Sequence, residues 1–236
     1  MADFLTLCQD TAKESGTVSG DGLPASVTSQ TGRLAKIIGW VEQAWRDIQN
    51  ERDGWRWMQG EFSGQTVSGT QRYTASDMGI SERFAAWRGI GDAEEDRMSC
   101  YLTSSGRTDE RVMEYWTWDE FFVQFLRGAQ SERTGRPVYW TIAPDDKLVF
   151  APTPDAAYTV RGMYRKDLQT LSANTDVPEM PVRFHDLIKW KALIHLANAD
   201  ESMNQNPLWR IEYTRLLNGL TRDQLPMVRF GGATLA

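Results

Sequence analysis

Apolar residues recur with a helical period at both ends of the chain and alternate in its middle. From Gly32 to about Arg52, Leu34, Ile37, Ile38, Val41, Trp45 and Ile48 keep the i, i+3, i+4, i+7 spacing of a single stripe. Arg33, Lys36, Glu42, Gln43, Arg46 and Asp47 fall largely on the opposite side, which predicts an amphipathic helix. A shorter helix is predicted over Asp3–Lys13, with Asp3 as its cap and Phe4, Leu7 and Cys8 on one face. Between the two, Glu14–Thr31 is rich in Ser, Thr and Gly and contains Pro24, the composition of an extended loop. A stretch that long inside a compact domain usually contacts something.

After Asp53 the period changes to two. Trp55, Trp57 and Phe62 alternate, and Thr66–Tyr73 and Arg83–Arg88 read as short strands separated by Gly and Ser. Met98–Thr103 and Arg111–Trp116 predict a hairpin across residues 104–109. Thr117 heads a short helix, Trp118–Leu126, with Glu120 completing a capping box. Val138–Ile142 and Lys147–Phe150 flank Ala143-Pro144-Asp145-Asp146, a turn sequence, and Tyr158–Tyr164 alternates as a last strand.

Helix returns at the end. Phe184–Ala199 carries Leu187, Ile188, Trp190, Leu193, Ile194, Leu196 and Ala197, apolar on most sides, as a helix in a core or between subunits does. Asn206-Pro207 starts another helix, and Trp209, Tyr213, Leu216, Leu217 and Leu220 form its stripe to about Arg222. The pattern therefore predicts an α+β chain. Helices at 1–52 and 165–224 form a helical core, 53–164 is an inserted, mainly antiparallel β region, and 225–236 is an extended C-terminal arm.

Composition narrows the function. The chain has 236 residues, 41% hydrophobic and 25% charged, enough to bury a core without disulfides or metal. No apolar run approaches the roughly 20 residues that cross a bilayer, and Met1–Leu5 shows no secretory pattern, so the protein is expected to be made in the cytoplasm. The net charge of −6 argues against tight nucleic-acid binding, which depends on Lys and Arg neutralising phosphates. It allows a protein that sits beside DNA without holding it. Ten tryptophans are the unusual count. Each can bury about 150–250 Å², so some serve the core and some are candidates for subunit contacts, where Trp, Tyr and Arg act as anchors.

Candidate chemistry is sparse, and no catalytic residue, metal ligand or cofactor is expected. His185 and His195 lie ten residues apart on one helix, about 80° around it and roughly 15 Å along it, too far to chelate one metal. Cys8 and Cys100 are isolated thiols. The carboxylate groups Glu94-Glu95-Asp96, Asp109-Glu110, Asp119-Glu120 and Asp145-Asp146 single out no facing pair of the kind a glycosidase needs. Gly89-Ile90-Gly91 lacks the rest of a phosphate loop. Arg127, Arg133 and Arg136 around Gly128 and Gly135 make a positive loop for solvent or for a partner.

The order of features resembles the head-to-tail adaptor, or head-completion, proteins of tailed bacteriophages. Four pieces carry the resemblance. They are the early amphipathic helix ending at Trp55-Arg56-Trp57, and the strand unit of Pro137–Thr141, Asp146–Asp155 and Tyr158–Tyr164. The others are the linker Asp176-Val177-Pro178-Glu179-Met180-Pro181 into Phe184–Ile188, and the closing helix with Tyr213 and Leu217. The segment Gly79–Arg136 has no counterpart in that pattern.

The resemblance implies a structural virion protein of the neck, forming a homo-oligomeric ring of twelve beneath the portal, with genomic DNA passing through its lumen. It implies portal protein on one side and tail, nozzle or stopper proteins on the other. Residues Arg183–Arg222 would form the ring wall, with Leu187, Trp190, Leu193, Ile194, Trp209 and Tyr213 at the subunit interface. The arm would bind portal through Leu225, Met227, Val228, Arg229, Phe230 and Leu235. Twelve copies would carry 12 × −6 = −72 formal charges, and an acidic lumen would let DNA slide. Two other readings are another neck or tail interaction protein, such as a tail terminator, and a hydrolase with acids converging near Asp119, Asp145 or Glu94.

Overall fold

The computed structural model of the chain describes residues 2–16, 22–89, 97–199 and 206–225. It holds both helices and antiparallel sheets, the α+β class. The chain divides into two compact units, one of residues Met1–Trp57 with Leu168–Ala236 and one of Met58–Asp167.

The first unit is helical. α1 (Phe4–Glu14) is capped by Asp3, whose carboxylate accepts the Thr6 N–H at 2.8 Å. α2 (Gly32–Asn50) buries Ile37, Ile38, Val41, Ala44, Trp45 and Ile48, the stripe read from the sequence apart from the half-buried Leu34. α4 (Asp186–Ala199) packs against α1, α2 and α5 (Asn206–Gln224). Three neighbouring helices explain why α4 is apolar on most sides.

Trp55 and Trp57, expected at the head of the β region, belong here instead. The indoles stack at 4.7 Å, and Trp55 donates its Nε1–H to the Ile48 carbonyl at 2.9 Å. The chain turns back on α2 as soon as that helix ends. Linker residues after 168 are pinned by side-chain amides: Gln49 and Gln169 exchange two bonds, at 2.7 and 3.0 Å. The Asn174 and Asp176 carbonyls accept the first N–H groups of α1, from Leu5 and Phe4.

The second unit is built of strands. β1 (Gln59–Gln65), β11 (Tyr158–Lys166), β4 (Ser99–Leu102) and β5 (Arg111–Val112) lie side by side, with β3 (Phe84–Trp87) also on β11. A second sheet has the order β2 (Arg72–Tyr73), β9 (Leu148–Ala151), β8 (Tyr139–Ile142), β6 (Glu114–Tyr115). The predicted hairpin across 104–109 is present as β4–β5, and the 143–146 turn closes with Asp146 in the left-handed region at φ 59°. Thr66–Tyr73 is mostly turn, leaving only β2 as strand. Among the described residues two pairings are parallel, β6 with β8 and β7 (Thr134–Gly135) with β10 (Thr153–Pro154).

Two stretches of chain join the sheets. Residues 111–116 pair first with β4 and then with β8, the changeover made by Met113 N–H to Met98 O and Glu114 N–H to Val138 O. Residues 59–73 do the same on the other side, pairing with β11 and then β9. The core enclosed between the sheets holds Phe62, Tyr73, Met98, Cys100, Met113, Trp140, Phe150 and Val160. Against the second sheet lies α3 (Trp118–Phe125), which plugs its only wholly buried side chain, Phe121, among Ala143, Val149 and Ala151.

Candidate functional site

The groups that would do chemistry are occupied in holding the fold. His185 is 2% exposed, with its ring nitrogens 3.1 Å from two backbone carbonyls. His195 bridges helices: its Nε2 lies 2.8 Å from Asp47 Oδ2, which also attracts Lys191 at 3.7 Å, while Gln43 donates to Oδ1 at 2.6 Å. Burial pushes the Cys8 thiol far above the ordinary thiol range and raises that of Cys100 as well. Among the described residues no group of three or more His, Cys, Asp or Glu could hold a metal ion.

Several of the acidic residues are engaged as well, while Asp119 is exposed. Asp109 receives the Arg136 guanidinium at 2.9 Å and Asp145 takes Lys147 at 2.7 Å. Glu120 accepts the Thr117 hydroxyl at 2.7 Å, a side-chain pair in place of the predicted capping box, since the Thr117 side chain caps no backbone N–H of the helix. Glu94 lies outside the described residues. The three arginines read as one positive loop separate: Arg136 is a pin, and Arg127 sits over the Phe122 ring at 4.7 Å. A cavity of about 200 Å³ on the β1–β11–β4 sheet is lined by Glu61, Arg97, Ser99 and Arg161 among others, mixed in charge.

The surface is more informative. Of the six residues expected at a subunit interface, Leu187, Leu193, Ile194 and Trp209 are buried by their own chain. They cannot offer apolar area to a neighbour without opening the helical packing, because α4 is surrounded by three helices of the same molecule. Trp190 and Tyr213 remain half-buried, with Lys189 and Lys191 above their rings at 4.6 and 5.1 Å. Burial, reinforced by the Glu51 carboxylate, pushes the Tyr213 hydroxyl far up.

Two exposed apolar surfaces went unread in the sequence. On α5, Leu208 and Ile211 are 65% and 61% exposed, three residues apart and off the buried stripe. They share that outward face with the exposed Arg215 and Arg222, and Arg215 pairs with Glu212 at 2.7 Å. The signal was present: at 100° per residue both positions fall more than 90° from the Trp209–Leu220 stripe. On α3, Val123 is 62% exposed, and Trp118, Phe122, Phe125 and Leu126 are only half-buried. Arg72 covers the Trp118 ring at 5.5 Å. The sequence marks α3 as apolar, but an eight-residue helix shows no period long enough to say which face meets the sheet.

Of the expected portal arm, Leu225 directly follows α5 with its N–H on Thr221 O, and its side chain rests beside Gly54 of its own chain. Met227, Val228, Arg229, Phe230 and Leu235 lie outside the described residues.

Comparison with curated proteins returns no match. The sequence profile described as SU10 adaptor protein matches residues 2–233, nearly the whole chain and both of its units. With side chains committed to packing and exposed apolar faces on α3 and α5, that match settles the family: this chain belongs to the SU10 adaptor proteins, structural adaptors of bacteriophages.

Proposed function

We propose that the protein is a non-catalytic subunit of the virion neck. It assembles as a ring of twelve beneath the portal, joins the capsid to tail, nozzle or stopper proteins, and leaves a channel for DNA. The observation that carries this reading is the adaptor-family match over residues 2–233. A ring needs only one heterologous contact repeated around a closing rotation. The outward face of α5 supports a role in that contact: Leu208 and Ile211 supply exposed apolar area there. Residues 225–236 form the portal arm, and twelve arms engaged together raise one another's effective concentration, so each contact can be weak.

The deciding experiment mixes purified protein with portal and images the complex. Twelve-fold density for this chain on the portal is the expected result. Absence of binding, or a different symmetry, would refute the ring reading.

A further inference from the structure

The flank of α3 that the sheet leaves uncovered combines apolar surface with positive charge. Trp118, Phe122 and Leu126 recur every four residues and lie side by side, each half-buried, with Val123 beside them at 62% exposed. The Arg72 guanidinium stands 5.5 Å over the Trp118 ring, and that of Arg127 stands 4.7 Å over the Phe122 ring. Both arginines are exposed, and beyond the rings neither guanidinium has a hydrogen bond or ion pair among the described residues. Asp119 lies on the same flank, one turn before Val123, so two guanidiniums face one carboxylate there. Aromatic rings with arginine are the composition of an interface anchor. Guanidiniums held in place over rings are ready to take carboxylates in two-pronged pairs.

The complementary composition occurs at residues 90–96, Ile-Gly-Asp-Ala-Glu-Glu-Asp, with four carboxylates and one large apolar side chain. We infer that the α3 flank is the receptor for this acidic run from a second copy of the chain. Carboxylates of the run pair with Arg72 and Arg127, and Ile90 covers Val123. Nucleic acid is the other polyanion that two arginines could take, but its phosphates would leave Val123 and Leu126 bare. The inference deepens the ring reading and rests on it for the neighbouring copy: it gives the ring a second repeated contact, made between strand-rich units.

Topology assigns the receptor and the run to different copies. Along β9, Leu148 and Phe150 face the core between the sheets while Val149 and Ala151 face α3, so α3 lies on the outer side of the second sheet. The run is anchored to the first sheet at both ends. Arg88 donates its N–H to Met163 O just after β3, and Met98 O accepts from Met113 just before β4. Nine residues, 89–97, separate those anchors, so their midpoint can stand at most about 16 Å off the sheet. The second sheet is about 10 Å away and α3 about as far again. A copy therefore cannot lay its run on its own α3, whereas a neighbour presenting its first sheet can. Front meeting back is the heterologous contact that a rotation repeats into a ring.

The test has two arms. In the first, a synthetic peptide of residues 89–96 is titrated into the full-length protein at low salt and followed by NMR at the Val123 methyls and the Arg72 and Arg127 Nε–H signals. Saturable shifts at these residues are expected, with binding about tenfold weaker in the double variant Arg72→Glu/Arg127→Glu. No shift at these residues, or shifts produced by a DNA duplex and not by the peptide, overturns the inference. The second arm assembles variants on portal. The double variant, and a separate chain carrying Asp92→Lys, Glu94→Lys, Glu95→Lys and Asp96→Lys, should each assemble poorly alone. Their equimolar mixture should assemble as the unaltered protein does, because each reversed flank then meets a reversed run on its neighbour. Normal assembly of either variant alone, or a mixture no better than its components, overturns the inference. If the unaltered protein forms no ring on portal, the ring reading falls, and the peptide titration still decides the α3 receptor. That titration uses the unaltered protein, so it decides even where a variant folds poorly.

Discussion

Single residues in this molecule are constrained to very different degrees, and two glycines show the range. A methyl at Gly64 of β1 would stand 2.5 Å from the Met78 Cα, a backbone atom that cannot swing aside. Gly39, midway along α2 and exposed, has nothing within 4 Å of the same position. Gly64→Ala is therefore expected to destabilise the β unit by about 1–3 kcal/mol, as overpacking does. Gly39→Ala should stabilise by up to about 1 kcal/mol, because alanine loses less backbone freedom in a helix. Denaturant unfolding of both variants checks the pair of signs. Charge acts at the same scale. Hydrogen bonds from Thr6, Thr74, Arg136 and Ser172–Ala173 hold the carboxyls of Asp3, Asp77, Asp109 and Asp176 below the usual carboxylate range. Groups whose folded-state pKa is lowered contribute stability above their unfolded value, and that stability is lost as pH falls through the folded one. The protein should therefore lose stability on acidification below about pH 4, measured as a falling thermal midpoint. Asp176→Asn should flatten part of that fall.

At the scale of elements, the question is which apolar faces are spent inside the chain and which are left over. Leu193 has no exposed surface, and Leu193→Ala should cost about 2–5 kcal/mol of stability through the cavity it leaves. Leu208→Glu with Ile211→Glu touches a face more than half exposed and should change stability by only about 0.5 kcal/mol per site. The same double variant should abolish ring formation on portal while the circular dichroism spectrum is retained; assembly at the normal level would clear the α5 face of any part in the contact. The helices were legible because their stripes run long: α2 and α5 each extend over 19 residues, five turns of consistent period. What the stripe could not show was that α4 has three neighbours in its own chain, so its all-round apolarity was equally compatible with a core and with an interface. The β elements were legible by alternation and by turn chemistry, as at Asp146, but two-residue strands such as β2, β5, β6 and β7 carry too little pattern to be seen. Their existence is set by partners far away in sequence.

For the whole molecule, the reading turns on assembly, which no element displays by itself. Purified alone, the chain is expected to be monomeric or weakly associated, because its largest apolar side chains are already covered. Light scattering of the isolated protein and of the portal mixture should give one subunit and a twelve-subunit increment respectively. Deleting residues 225–236 should leave the fold intact, since tails contribute few core contacts, and should eliminate portal attachment; retained attachment would move the portal site elsewhere. The adaptor family was legible from the order of elements, and the match over residues 2–233 bears that much out.

The pairing of Gln59 with Arg165 carries an implication for how such a chain can be rebuilt. The polypeptide enters and leaves the strand-rich unit through neighbouring rungs of one ladder, about 5 Å apart. To the helices, a hundred-residue excursion is therefore equivalent to a short hairpin. Residues 58–167 can be swapped for a few Gly and Ser residues, or for another module whose ends sit equally close, with the helical half still folding cooperatively. The same socket would let a lineage of these proteins trade strand-rich modules while keeping its helical half unchanged.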